Sequence, residues 1–397
     1  MDRDAKGYGS KSKKASKVKP TIKNKYHIFT KGGSVDATFL VLLFLILSIG
    51  LVMLFSASYA DAYYWKNNSF HYILRQFVFA VFGTIAMFGA SMVDYRIYKK
   101  YWKFILIVSI LLLIFVFTQR SVNNARRWIF VTQSLSFQPS EIAKFALIVY
   151  LAKHTTDFQD KMKKIGVGII RPCVVLLVFV VLLILEPHLS GTVLMIGITA
   201  VMLIIGGANL YQFFGCAMLG SVGVPMLILM LGKWDRMMVR VNYWLNPFSA
   251  PRAEGYQVIQ SLYAIGSGGL MGVGIGNSRQ KYLYLPEPQN DFIFAVVCEE
   301  IGFIGATFVL ILFALLVWRG FVIAIRCKDR FGMMLASGLI AQVGLQVILN
   351  VAVVTNTIPN TGISLPFFSY GGTSLFMLMA QMGVLLSISR ETDIEKE

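Results

Sequence analysis

The carboxylate of Asp291 stands where the polar segment Leu285-Pro286-Glu287-Pro288-Gln289-Asn290 runs into a long apolar stretch that opens Phe292-Ile293-Phe294. An ionisable group at the border of an apolar run is costly unless it has a partner or does chemistry. Asp291 is therefore the first candidate for chemistry. The plainer reading of Asp291 is an acid placed at a helix N-terminus, where the helix dipole favours it.

Two further constellations carry polar chemistry. Phe137-Gln138-Pro139-Ser140-Glu141-Ile142-Ala143-Lys144 opens an apolar segment, and its proline suits the first turn of a helix. Glu141 and Lys144 are three apart and share a face. They form either an ion pair that lets two charges sit in apolar surroundings or a polar wall of a substrate cavity. The run from Pro359 to Ser374 holds too many prolines and glycines for a regular helix. It is expected to form a loop whose backbone NH groups and hydroxyls, at Ser369, Gly371 and Gly372, line the same cavity.

These groups must be positioned by membrane helices. The chain of 397 residues is 56% hydrophobic and 14% charged, with mean hydropathy +0.66. Soluble domains average about 25% charged residues, so the expected fold is an all-α polytopic membrane protein. Ten spans of roughly 20 residues are expected near 37–57, 72–92, 104–119, 139–153, 172–187, 191–207, 211–232, 291–318, 332–354 and 373–389. No cleavable signal peptide is expected. Cys173, Cys216, Cys298 and Cys327 show no paired spacing and read as packing residues.

Charge orients the spans. Residues 1–35 hold ten Lys/Arg against two Asp. The connections at 94–103, 153–171 and 326–330 are also basic and fall on the same side, which is then cytoplasmic, with both termini inside. Three regions follow: a basic tail over 1–35, expected to be disordered, a membrane domain over 36–390 and a short cytoplasmic C-terminus over 391–397. The tail reads as a segment resting on anionic lipid. Nucleic-acid binding is the weaker alternative, and no nucleic acid is expected as a partner.

The outer face is basic as well. Arg120, Arg126 and Arg127 lie at 119–138, and Lys233, Arg236, Arg240, Arg252, Arg279 and Lys281 at 233–290. They suit either lipid headgroups or a cavity for an anionic substrate, where arginine grips phosphate bidentately. The 233–290 connection, a large extracytoplasmic loop between the seventh and eighth spans, is too long to be structureless without function. It contains helical spacing at 256–265 and then a glycine run to Gly276. Gly272-Val273-Gly274-Ile275-Gly276 echoes a dinucleotide fingerprint but lacks the βαβ context. A re-entrant or interfacial half-helix fits better, because irregular backbone is tolerated where it lines a wet cavity.

These residues resemble the SEDS family (shape, elongation, division and sporulation), over about residues 37 to 389. The resemblance rests on Ala125-Arg126-Arg127-Trp128, Gln138 to Lys144, Gly255-Tyr256-Gln257, Ser278 to Lys281, Leu285 to Phe294, Glu299-Glu300-Ile301-Gly302 and Pro359 to Ser374. Tyr284 to Gln289 and Glu186 to Gly191 look closer to the FtsW/SpoVE branch. Asn290, Asn360 and Thr373 depart from the commoner pattern without touching the carboxylate. The resemblance implies a peptidoglycan glycosyltransferase that polymerises lipid II, the undecaprenyl diphosphate-linked disaccharide pentapeptide, at the outer face of the bacterial cytoplasmic membrane. It implies a class B penicillin-binding protein transpeptidase as partner, with other division or elongation proteins, and Asp291 as the essential aspartate.

The chemistry agrees with the residues. A sugar hydroxyl attacks an anomeric carbon and expels a lipid diphosphate. A general base aids this by roughly 10²–10⁴-fold. The diphosphate needs positive charge rather than a second acid. That charge is expected from Arg126, Arg127, Lys144 and Lys281, or from a divalent cation, Mg2+ or Mn2+, with Asp291 as its ligand. Glu141 would orient Lys144, and Glu287 would assist catalysis or bind metal. Gln138, Gln257, Ser369, Gly371 and Gly372 complete the expected substrate site. A lipid II flippase and a non-catalytic division scaffold are the alternatives. Many spans and Pro/Gly-broken segments also describe transporters, but no inverted repeat is evident.

Overall fold

The computed structural model describes residues 33–120, 126–130, 132, 136–232, 234–249 and 254–392. The tail expected over 1–35 lies outside the described residues except for its last three. Of 391–397, only the first two residues are described.

The chain folds as a bundle of helices. The first seven long helices are α1 (Ala37–Lys66), α2 (His71–Met92), α3 (Arg96–Val116), α4 (Pro139–Asp157), α5 (Arg171–Leu185), α6 (Leu189–Ile205) and α7 (Leu210–Met230). The connection that follows holds α8 (Trp234–Leu245) and α9 (Glu254–Gly268). The last three spans are α10 (Ile293–Arg326), α11 (Arg330–Val354) and α12 (Gly372–Ser389). Each of the ten expected spans thus corresponds to one helix. Seven helices are long and apolar enough to cross a membrane by length and composition, namely α1, α2, α5 with the π-helical turn before it, α7, α10, α11 and α12. α6 is a shorter apolar helix. α3 and α4 carry charges in their sequences, Arg96, Lys99, Lys100 and Lys103 in the first and Glu141, Lys144, Lys153 and Asp157 in the second. The chain is a multi-pass membrane protein. Its strands, among the described residues, are a small hairpin, β1 (Ile129–Phe130) and β2 (Ser136–Phe137), in the loop before α4.

Local chemistry starts the helices. Asp36 caps α1 by accepting from the Phe39 NH at 2.8 Å, Pro139 occupies the first turn of α4, and Asp329 caps α11 through the Gly332 NH. Packing then uses small residues, as membrane helices must where no hydrophobic drive separates helix from lipid. At Gly383 a Cβ would run into the Met87 backbone carbonyl, so α2 and α12 approach closely there.

The first and last helices meet at one face. The Asp36 NH donates to Ser389 Oγ at 3.2 Å and Arg390 donates to the Gly33 carbonyl at 3.4 Å. Arg96, from a basic connection, pairs there with Glu391 at 2.5 Å. Arg319 of α10 closes on Asp36 at 2.9 Å.

At the opposite face α8 and α9 lie over the end of α11. Trp244 donates to the Asn356 carbonyl at 3.1 Å and Ser261 to the Val354 carbonyl at 2.8 Å. The glycine run after α9 is a turn stitched into α10. Gly302 interrupts α10 at φ 69°, which frees backbone groups on either side. Val273 and Gly274 donate to the Glu299 and Glu300 carbonyls, each at 3.0 Å. Phe303 and Ile304 donate back to Gly269 and Leu270 at 2.9 and 3.1 Å. These four bonds satisfy backbone groups that the kink would otherwise leave free. Gly272, at φ 78°, faces the Glu300 carbonyl so closely that a Cβ has no room.

Candidate active site

Loops and helix ends at one face of the bundle enclose a cavity of about 380 Å3. The hairpin loop before α4 brings Arg127 and Trp128. The first turns of α4 bring Gln138, Glu141 and Lys144. The α5–α6 turn brings His188, the segment before α10 brings Glu287, Asn290 and Asp291, α11 contributes Gln346, and the Pro/Gly loop supplies Gly362, Tyr370 and Gly371.

Glu141 and Lys144 pair at 2.8 Å and both are buried, so one wall of the cavity presents a neutralised but strongly polar pair. Gln138 reaches across to the His188 ring at 3.2 Å. The Arg127 guanidinium donates to the Pro187 carbonyl while its Nε is buried without a hydrogen-bond partner among the described residues. Gln346 likewise keeps a buried Oε1 unbonded among the described residues. These are groups a polar substrate can satisfy.

Asp291 is partly buried, and among the described residues no side chain hydrogen-bonds its carboxylate. Burial first, and the Glu287 carboxylate second, push Asp291 up to about 6, with Arg127 pulling the other way. Arg127 is itself held below its ordinary value by burial and by Arg240 of α8, an effect that Asp291 and Glu186 oppose. Burial pushes Glu186 up to about 8 against the pull of Arg127. Burial, Arg127 and Lys144 hold His188 well below the usual range, so it is neutral. A carboxylate titrating near neutrality beside guanidinium and ammonium groups suits proton abstraction from a hydroxyl next to an anionic leaving group.

The structure gathers seven of the expected residues around this cavity: Asp291, Glu287, Arg127, Gln138, Glu141, Lys144 and Gly371. The others lie elsewhere. Lys281 corrects the expectation of a diphosphate ligand. It is 2% exposed, pairs with Glu300 at 2.9 Å and donates to Ser56 at 3.1 Å, so its charge is spent inside the protein. Arg126 is exposed and bonds the Phe117 carbonyl at 2.6 Å. Gln257 spans from the Pro286 carbonyl to the Asn360 amide, 3.3 Å to each. Ser369 lines a smaller neighbouring pocket and bonds the Asn290 carbonyl. Gly372 lies against the Phe79 ring, where a Cβ has no room.

Sequence reasoning gave no site role to Glu186, His188, Gln346 or Tyr370. The break Glu186-Pro187-His188 between two apolar runs is a usable signal for the first two. Gln346 is hidden in an otherwise apolar helix.

The described residues include no group of three or more His, Cys, Asp or Glu placed to hold a metal ion. Asp291 and Glu287 are the carboxylates in reach. Such a pair fits a hard cation that draws its remaining ligands from substrate phosphate and water.

A family model for FtsW, RodA and SpoVE, described as cell cycle protein, matches residues 36–394. Stage V sporulation protein E of Bacillus subtilis (strain 168) is 40% identical over 364 residues, which are 91% of this chain and 98% of that protein. A protein of Geobacter sulfurreducens named probable peptidoglycan glycosyltransferase FtsW is 37% identical over 89% of this chain and 95% of its own. Among solved structures, a chain described under structural coordination of polymerization and crosslinking by a peptidoglycan synthase complex gives a TM-score of 0.75 at 27% identity, over 90% of this chain and 98% of that one. The rod shape determining protein RodA of Thermus thermophilus gives 0.66 at 27% identity over the same shares.

Proposed function

Since the chain belongs to the FtsW/RodA/SpoVE family of cell cycle proteins, we propose that it is a peptidoglycan glycosyltransferase whose cavity joins lipid II units at the outer membrane face. The observation that carries this reading is Asp291, a carboxylate raised to about 6, facing a cavity whose other walls hold Arg127 and the Lys144–Glu141 pair. Asp291 takes the proton of the attacking sugar hydroxyl. Arg127 and Lys144 face the departing diphosphate, which needs charge rather than a proton. Neutral His188 and Gln138 offer hydrogen bonds to sugar or phosphate oxygens without adding charge. A divalent cation, Mg2+ or Mn2+, would be held by Asp291 and Glu287, and it would neutralise the developing charge on the diphosphate.

The partner is a class B penicillin-binding protein. Its single transmembrane helix seats in an apolar groove of about 650 Å3 between α10 and α11, lined by Phe313, Val317, Gly344 and Val351. Gly344 gives the groove lining a small residue of the kind found at membrane helix interfaces. The basic connections and both termini face the cytoplasm, which puts the cavity outside.

The test is polymerisation of lipid II by the purified protein with its partner, with and without Mg2+ or Mn2+, beside Asp291→Ala. Glycan ladders from the unaltered protein alone support the reading, and chelation by EDTA decides the cation. An active Asp291→Ala variant removes the assigned role. Lipid II crossing a sealed vesicle without polymer forming favours a transporter instead.

A further inference from the structure

Three successive backbone carbonyls carry Asp291 to the cavity, and each is held from the opposite side. The Gln289 carbonyl accepts from the Tyr370 NH at 2.8 Å. The Asn290 carbonyl accepts from Ser369 Oγ at 2.7 Å. The Asp291 carbonyl accepts from Asn350 Nδ2 at 2.8 Å. The same Asn350 amide also donates to the Ile363 carbonyl at 2.7 Å. Ile363 follows Gly362, which packs directly on the Asp291 carboxylate. One planar NH2 group thus fixes the spacing between the segment that bears the carboxylate and the loop that walls it.

We propose that Asn350 is a positioning residue for this transferase, acting through the Asp291 peptide to aim its carboxylate into the cavity. The inference rests on the reading of Asp291 given above. Asn350 does not line the cavity and is wholly buried, so substrate contact is not its role. It sits on α11, a continuous helix of 25 residues, which gives the clamp a rigid base. Buried amides that bridge two carbonyls are costly to disturb, because both acceptors are orphaned at once. A second clamp holds the far end of the same loop. Gln76 of α2, also wholly buried, donates to the Ser369 carbonyl at 3.2 Å and accepts from the Gly371 NH at 3.1 Å.

The variant Asn350→Leu keeps much of the volume and removes both donors. Its saturating polymerisation rate is expected to fall about 10²-fold, the cost of misplacing a reacting group by roughly 1 Å. Its KM for lipid II is expected to stay unchanged, because the groups that face the substrate remain. Ser369→Ala, which frees the neighbouring carbonyl, is expected to show the same split. The double variant should lose less than the product of the two single losses, since both act on one segment. A full rate in Asn350→Leu, or a fall in which kcat and KM move together, overturns the proposal. Should Asn350→Leu not purify as a folded protein, Ser369→Ala decides, and an unchanged kcat there overturns it as well. Asp291→Ala separates the two readings. If that variant is active, the assignment of Asp291 fails. If it is inactive while Asn350→Leu is normal, the positioning role alone fails.

Discussion

Gly362 lies so close to Asp291 that a Cβ built on it would stand 3.0 Å from Asp291 Oδ2, and its φ of 73° is one that side chains rarely adopt. Glycine is required here on both counts. Gly362→Ala is expected to cost about 1–2 kcal/mol from the backbone conformation alone, and the added methyl displaces the carboxylate. The polymerisation rate should drop by about 10²-fold while binding of lipid II persists, which a binding assay beside a ladder assay would show.

The pH dependence follows from the charges around the same carboxylate. In the proposed role Asp291 acts deprotonated, and it is pushed up to about 6, so kcat/KM should rise with pH through about 6 and level off above it. Glu287 raises this value and Arg127 lowers it. Glu287→Gln should therefore move the acid limb to lower pH, and Arg127→Gln should move it higher. Initial rates between pH 5 and 8 would check both directions.

Lys281 makes a contrasting prediction. Its ammonium and the Glu300 carboxylate are 2% and 0% exposed. Lys281→Met leaves Glu300 charged and unpaired inside the protein, at a cost on the order of 3–5 kcal/mol. Lys281→Met with Glu300→Gln should recover much of that loss. Thermal unfolding in detergent would show the recovery. A raised KM for lipid II with full stability would instead return Lys281 to the substrate site.

Gly302 tests the stitched kink. A Cβ there would run into the Gly272 NH and the Leu270 carbonyl. Gly302→Ala should break the mutual hydrogen bonds between the glycine turn and α10. Hydrogen exchange is the direct measurement, with faster exchange expected at Val273, Gly274, Phe303 and Ile304.

Much of this was legible in the sequence because lipid imposes simple rules. Apolar runs such as 37–57 and 373–389 must be helices, and the Pro/Gly richness of 359–374 marked a loop. Glu141 and Lys144 were readable as a pair because a helix sets their spacing. Lys281 was not, because its partner Glu300 is reached only through the kink at Gly302, and one sequence does not announce a long-range ion pair. Asn350 was invisible for a related reason. A polar residue in a helix shows its cost in the sequence, but not which backbone it holds.

The contact between Asp36 and Ser389 has a topological consequence. The described chain leaves the bundle almost where it entered, because the start of α1 and the end of α12 are in contact. Ten Lys/Arg lie within residues 1–35, while Glu391, Asp393, Glu395 and Glu397 lie within the last seven. A basic and an acidic stretch of the sequence are thus attached to the bundle at neighbouring points, Asp36 and Ser389.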